Sequence, residues 1–139
     1  MKLRKEMSAE KNLKDTISGH GETVLVVDDE PQILMLSKIM LEDSGYRVLT
    51  AGTPGEAIVL AQKHAGKVKL LLTDVVMPAM NGRDLAQRLH SSYPSLKVLF
   101  MSGHSAGIIG VMDESANFIR KPFTMATFAA KVREVLRGE

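Results

Sequence analysis

The stretch from Lys69 to Gly82, KLLLTDVVMPAMNG, narrows the possible folds more than any other part of the chain. Leu70, Leu71 and Leu72 form an unbroken apolar run, the pattern of a strand covered on both faces in a parallel sheet. The run ends at Asp74, a carboxylate that does not belong in a core. Val75, Val76, Met77 and Pro78, then Asn81-Gly82, carry the chain away through a loop. Asp74 therefore stands at the carboxyl edge of a sheet, where open parallel sheets bind ligands. Its plain alternative is a cap on a neighbouring helix or turn, so the residues that join it decide between the two.

The rest of the chain alternates strand and helix signals. Thr23 to Val27, TVLVV, is a β-branched run that ends in Asp28-Asp29, and Pro31 opens a helix with Ile33, Leu34, Leu36, Ile39, Met40 and Leu41 at helical spacing, stopped by Gly45. Tyr46 to Ala51 is a second strand. Thr53-Pro54-Gly55-Glu56 has capping-box spacing and opens a helix that reaches about His64, with Gly66 as its stop. Val68 to Thr73 is the third strand and Arg83 to Ser91 the third helix; Leu96 to Met101 is the fourth strand, closed by Ser102-Gly103. A weak helical segment near Ile108 to Glu114 precedes a short strand, Asn117 to Arg120. A last helix, Thr124 to Leu136, turns Phe128, Val132 and Val135 inward. Residues 22–139 read as the folded domain. Met1 to Gly21 is polar, ends in Ser18-Gly19-His20-Gly21, and reads as a linker or tail, with a basic segment that docks on a partner as the alternative.

Five strands separated by helices imply an α/β, doubly wound parallel sheet with helices on both faces, and the five-strand version has the order 2-1-3-4-5. In that order Asp28 and Asp29, just past the first strand, meet Asp74 at the crevice where the topology reverses. Carboxylates that converge repel one another unless a cation fills the space between them. Mg²⁺ suits the site, because it takes oxygen ligands, keeps waters, and binds through one or two carboxylates plus a phosphate. Ser102, at the end of the fourth strand, offers a hydroxyl to a phosphoryl oxygen, and Lys121, past the fifth, offers a mobile ammonium aimed by Pro122. Each of these has a plain reading too: a helix cap for Asp28 or Asp29, a turn for Ser102, the surface for Lys121.

Composition removes other classes. In 139 residues there is no cysteine, so thiolate metal sites and disulfides are out of reach. A net charge of +2 with scattered Lys and Arg gives no footprint for nucleic acid, and no apolar run suggests membrane contact or a signal peptide. The expectation is a soluble, cytoplasmic, single-domain protein.

From Glu22 to Leu136 the sequence resembles the receiver domain of bacterial two-component response regulators, through VLVVDDEP, LLLTDVVMPAMNG, VLFMSG and FIRKPF. The resemblance implies that Asp74 accepts a phosphoryl group from a phosphohistidine on a histidine kinase or a histidine phosphotransfer domain. It implies that Asp29 and Asp74 ligate Mg²⁺ directly, that Asp28 acts through water, and that the backbone carbonyl of Val76 is a further ligand. Lys121 takes the place of the family's lysine, Ser102 that of the switch hydroxyl, and Phe118 that of the aromatic switch residue. Phosphorylation would draw Ser102 toward the phosphoryl group and let Phe118 turn, changing the partner-binding surface. Such a chain catalyses only its own phosphorylation and dephosphorylation.

Three features depart from the family pattern. Phe118 has no hydroxyl and has a plain reading as core; the segment from Ser102 to Lys121 is short and carries Gly107 and Gly110; His104 sits where it could influence water or donor entry. The expected context is either a free single-domain regulator or the C-terminal receiver of a hybrid histidine kinase, the wording of MNGRDLA, VLFMSGH and RKPF being closer to the second. A homodimer is a further candidate assembly. The alternatives are a receiver-like scaffold that needs no phosphorylation, and a Mg²⁺-dependent phosphohydrolase of the haloacid-dehalogenase type. The second of these lacks its Asp-x-Asp pair here.

Overall fold

Apolar strands with no polar face require cover on both sides, and the computed structural model, which describes residues 21–103, 117–121 and 123–138, supplies it. The elements run β1 (Thr23–Val27), α1 (Pro31–Asp43), β2 (Arg47–Ala51), α2 (Pro54–Lys63), β3 (Val68–Asp74), α3 (Gly82–Ser92), β4 (Lys97–Ser102), β5 (Phe118–Arg120) and α4 (Met125–Arg137). The strands form one parallel sheet in the order β2-β1-β3-β4-β5, as the alternation of signals requires. The weak helical segment expected near 108–114 lies outside the described residues, as does His104.

Alternate residues of the central strands feed two cores. Leu25, Val27, Leu71 and Phe100 face Ala57 and Ala61 of α2 and Leu85, Ala86 and Leu89 of α3. Val24, Val26, Leu70, Leu72 and Leu99 face Leu41 of α1 and Phe128, Val132 and Val135 of α4, the inward residues expected of the last helix. Leu70, Leu71 and Leu72 are fully buried, each stabilising the fold by about 1.5–3 kcal/mol.

Helix ends follow local chemistry, with two differences from expectation. Thr53 accepts the Glu56 N–H at 3.1 Å, but the Glu56 carboxylate accepts from Gly52 N–H at 2.9 Å instead of closing the box on Thr53. The reciprocal capping box forms at α4, where Thr124 and Thr127 exchange bonds. In α1 the apolar residues run right round the helix, so the sheet covers only part of them. Ser37 and Leu41 are buried while Met35, Leu36 and Ile39 are exposed. Gly45 and Gly66 end their helices at positive φ.

Candidate functional site

Register brings the acids together. Val27 of β1 pairs with Thr73 of β3, so the next residue of each strand, Asp28 and Asp74, lie side by side at the same edge. Asp74 is the last residue of β3 and pairs with Met101, so Ser102 stands one step further along β4. Ser102 in turn pairs with Arg120, and its carbonyl accepts the Lys121 N–H at 2.9 Å, which fixes where the lysine leaves the sheet.

One carboxylate oxygen from each of Asp28, Asp29 and Asp74 lies within 4.8 Å of the others. Asp28 and Asp74 are buried and Asp29 is exposed, so the cluster opens to solvent on the Asp29 side. Lys121 Nζ donates to Asp28 Oδ2 at 2.8 Å and lies 3.7 Å from Asp74 Oδ1 and 3.9 Å from Glu30 Oε1. The Glu30 N–H donates to the other Asp28 oxygen at 2.9 Å. Both Asp28 oxygens are therefore engaged, which offsets the cost of burying the side chain.

The electrostatics follow from this crowding. Burial raises the Asp74 carboxyl above the ordinary carboxylate range, and the charges of Asp28 and Asp29 raise it further; Lys121 and the Val75 N–H pull against them. Burial alone would lower the Lys121 ammonium, but the hydrogen bond and charge of Asp28, with Asp74 and Glu30, outweigh it and hold the group above its ordinary value. A lysine held charged between carboxylates is an electrostatic partner for anionic oxygens.

The donor set fits a hard divalent cation. Three clustered carboxylates supply only oxygen, and they carry more negative charge than one ammonium balances. Val76, two residues beyond Asp74, is half exposed. Ser102 is buried at the strand end. Phe118 is half buried and rests against Phe100, ring centroids 6.4 Å apart and planes tilted by 59°, so in this conformation it packs with the α2/α3 core.

Two residues of the site have no assigned part in the sequence reading. Glu30 follows the acid pair and reaches Lys121; its signal was a third consecutive acid in DDE. Gly82 opens α3, and its N–H donates to the Val75 carbonyl at 2.8 Å. The Asn81-Gly82 dipeptide marked a turn, but not that the glycine lies against Asp74.

Comparison with known proteins agrees with this geometry. The response regulator receiver domain family matches residues 24–133. Sensor kinase CckA of Brucella abortus (strain 2308) is 33% identical over 129 residues, which make up 91% of this chain and 14% of that protein. Probable transcriptional regulatory protein TcrX of Mycobacterium tuberculosis is 34% identical over 122 residues, 86% of this chain and 51% of that one. The chain thus spans about half the length of these curated relatives, or less. Among solved structures, the receiver domain from hybrid histidine kinase CckA is 31% identical with a TM-score of 0.71, covering 82% of this chain and 98% of that one. A receiver domain protein from Clostridium thermocellum is 28% identical with a TM-score of 0.74, covering 84% and 94%. With its strand order and its strand-end acids, the chain belongs to the receiver domain family of two-component response regulators.

Proposed function

We propose that residues 22–139 form a phosphoacceptor domain that takes a phosphoryl group onto Asp74 from a phosphohistidine of a histidine kinase or a histidine phosphotransfer domain, with residues 1–21 as a linker or tail. The observation that carries this reading is the meeting of three carboxylates, from the ends of β1 and β3, with one ammonium that spans Asp28 and Asp74. An Asp74 oxygen forms a bond to phosphorus as the P–N bond of the donor breaks, and the imidazole nitrogen keeps the electron pair and takes up a proton. Asp29 and Asp74, with the Val76 carbonyl and Asp28 through water, are the residues that would hold Mg²⁺. When bound, the ion would neutralise charge on the phosphoryl oxygens. Lys121 and the Ser102 hydroxyl would contact those oxygens from the β4–β5 side. Phe118 would answer the movement of Ser102 by repacking away from Phe100.

The donor must present its histidine at the mouth of this crevice. Helix α1 begins at Pro31, on the rim, and exposes Met35, Leu36 and Ile39, giving the donor an apolar seat beside the acceptor. The test is intact mass after incubation with acetyl phosphate, with and without Mg²⁺, for wild type and Asp74→Asn. One added phosphoryl group that requires both the metal and Asp74 supports the reading. No adduct, together with no phosphate released from the donor, overturns it.

A further inference from the structure

Glu30 occupies the N-cap position of α1, which favours the shorter Ser, Thr, Asp and Asn, and it makes no side-chain capping bond. Its carboxylate instead stands exposed at 61%, with Oε1 3.9 Å from Lys121 Nζ. Its own N–H holds Asp28 Oδ1 at 2.9 Å. The residue that fixes one oxygen of Asp28 thus also presents a carboxylate to the lysine that holds the other.

The ammonium now sits in the acid cluster as its counter-ion, 2.8 Å from Asp28 and 3.7 Å from Asp74. A divalent cation that draws on Asp28, directly or through a bound water, comes up against the carboxylate that Lys121 already holds. Two cations at one carboxylate repel, so the ammonium has to give way. Lysine is a compact charge on a flexible stem and can swing. On the solvent side of its present position the described carboxylate within reach is Glu30. We propose that Glu30 is the second seat of Lys121, a positioning residue that receives the ammonium when a divalent cation enters the Asp28–Asp29–Asp74 cluster. This rests on the metal reading given above and adds a residue and a linkage to it. Lys121 opposes metal entry, and Glu30 relieves part of that opposition by giving the charge a place beside the site. The ammonium then remains near the phosphoryl oxygens instead of leaving for solvent.

The test is the Mg²⁺ affinity of the full 139-residue chain without any phosphodonor. It is read from amide chemical shifts of residues 28–30 and 73–75 for wild type, Lys121→Met, Glu30→Gln and the double variant, with the dispersion of the metal-free spectra as the check on folding. Lys121→Met, with Lys121→Gln as a second neutral variant should the first not fold, tightens Mg²⁺ binding by about tenfold, because the competing charge is gone. Glu30→Gln weakens binding by roughly threefold in the wild-type background and leaves it unchanged beside Lys121→Met, the non-additivity expected of a residue that acts through another. An equal loss in both backgrounds would mean that Glu30 acts on the metal directly and would overturn the proposal. Equal affinity in wild type and Lys121→Met would overturn it while leaving the metal site standing. No binding in any of the four would sink the proposal and the metal reading together.

Discussion

Gly82 approaches the backbone of Asp74 so closely that a Cβ at this position would overlap the Asp74 carbonyl, and it would also meet the Thr73 methyl at 3.2 Å. The approach seats the first turn of α3 on the strand end that carries Asp74. The Gly82 N–H completes the attachment by bonding to Val75, and Asn81 caps the helix through the Asp84 N–H at 2.8 Å. Gly82→Ala must push the helix start or the strand end aside. The expected cost is about 1–3 kcal/mol, the range for forcing atoms into a filled space. Thermal unfolding should show a midpoint lower by several degrees, and labelling of Asp74 by acetyl phosphate should slow, since the displaced strand end carries the reacting carboxylate.

Such close approaches mark the limit of what the sequence discloses. The sheet order was readable because uninterrupted apolar runs at Val24–Val27 and Leu70–Leu72 admit only strands covered on both faces, and parallel neighbours need crossovers. The meeting of Asp28 and Asp74 follows from that order, since each is the first residue past paired positions. The partition of Lys121 among Asp28, Asp74 and Glu30 could not be read, because differences of about an ångström depend on how the loops leave the strands. Nor could the exposed stripe on α1. Seven apolar residues spread over that helix fit the core on several faces, and only the position of the sheet selects Ser37 and Leu41.

Ala79, in the loop between Asp74 and α3, has φ of 72°, in the left-handed region that a side chain disfavours. An L-residue there costs roughly 1–2 kcal/mol, which glycine would not incur. Ala79→Gly loses part of that gain to the greater freedom of the unfolded chain, leaving a net stabilisation of about 0.5–1 kcal/mol. Denaturant unfolding should show a higher midpoint with an unchanged slope. A lower midpoint would mean that the loop draws more from the alanine methyl than it loses to strain.

The raised Asp74 carboxyl makes the metal-free fold sensitive to pH. Because the folded value lies above the ordinary one, the unfolded chain releases its proton first as pH rises. Stability therefore falls from the ordinary carboxylate range up through the folded value, then levels off with Asp74 ionised. Asp74→Asn removes this contribution. Without metal, the variant should be more stable than wild type at neutral pH, and the difference should shrink on acidification. Added Mg²⁺ should raise the wild-type midpoint more than that of the variant. Thermal unfolding across a pH series, with and without the ion, checks both signs, and a variant less stable at neutral pH would contradict the account.

Ser37 and Leu41 turn α1 toward the sheet, and Met35 and Ile39, one helical turn apart, stand on the outer side with exposures of 66% and 59%. Leu36 widens the stripe. Apolar side chains so exposed contribute little to folding, so Met35→Asp and Ile39→Asp should leave the unfolding midpoint nearly unchanged. If the stripe seats the phosphohistidine donor, each substitution places an unpaired charge in a desolvated contact and should slow transfer from a donor active on wild type by about tenfold, the size of an interface residue worth more than 1 kcal/mol. Acetyl phosphate is small and needs no such seat, so its labelling of Asp74 should keep the wild-type rate. The comparison separates docking from chemistry. A parallel loss with both donors would place the defect in the acid cluster, and unchanged transfer from the protein donor would show that it docks elsewhere on the rim.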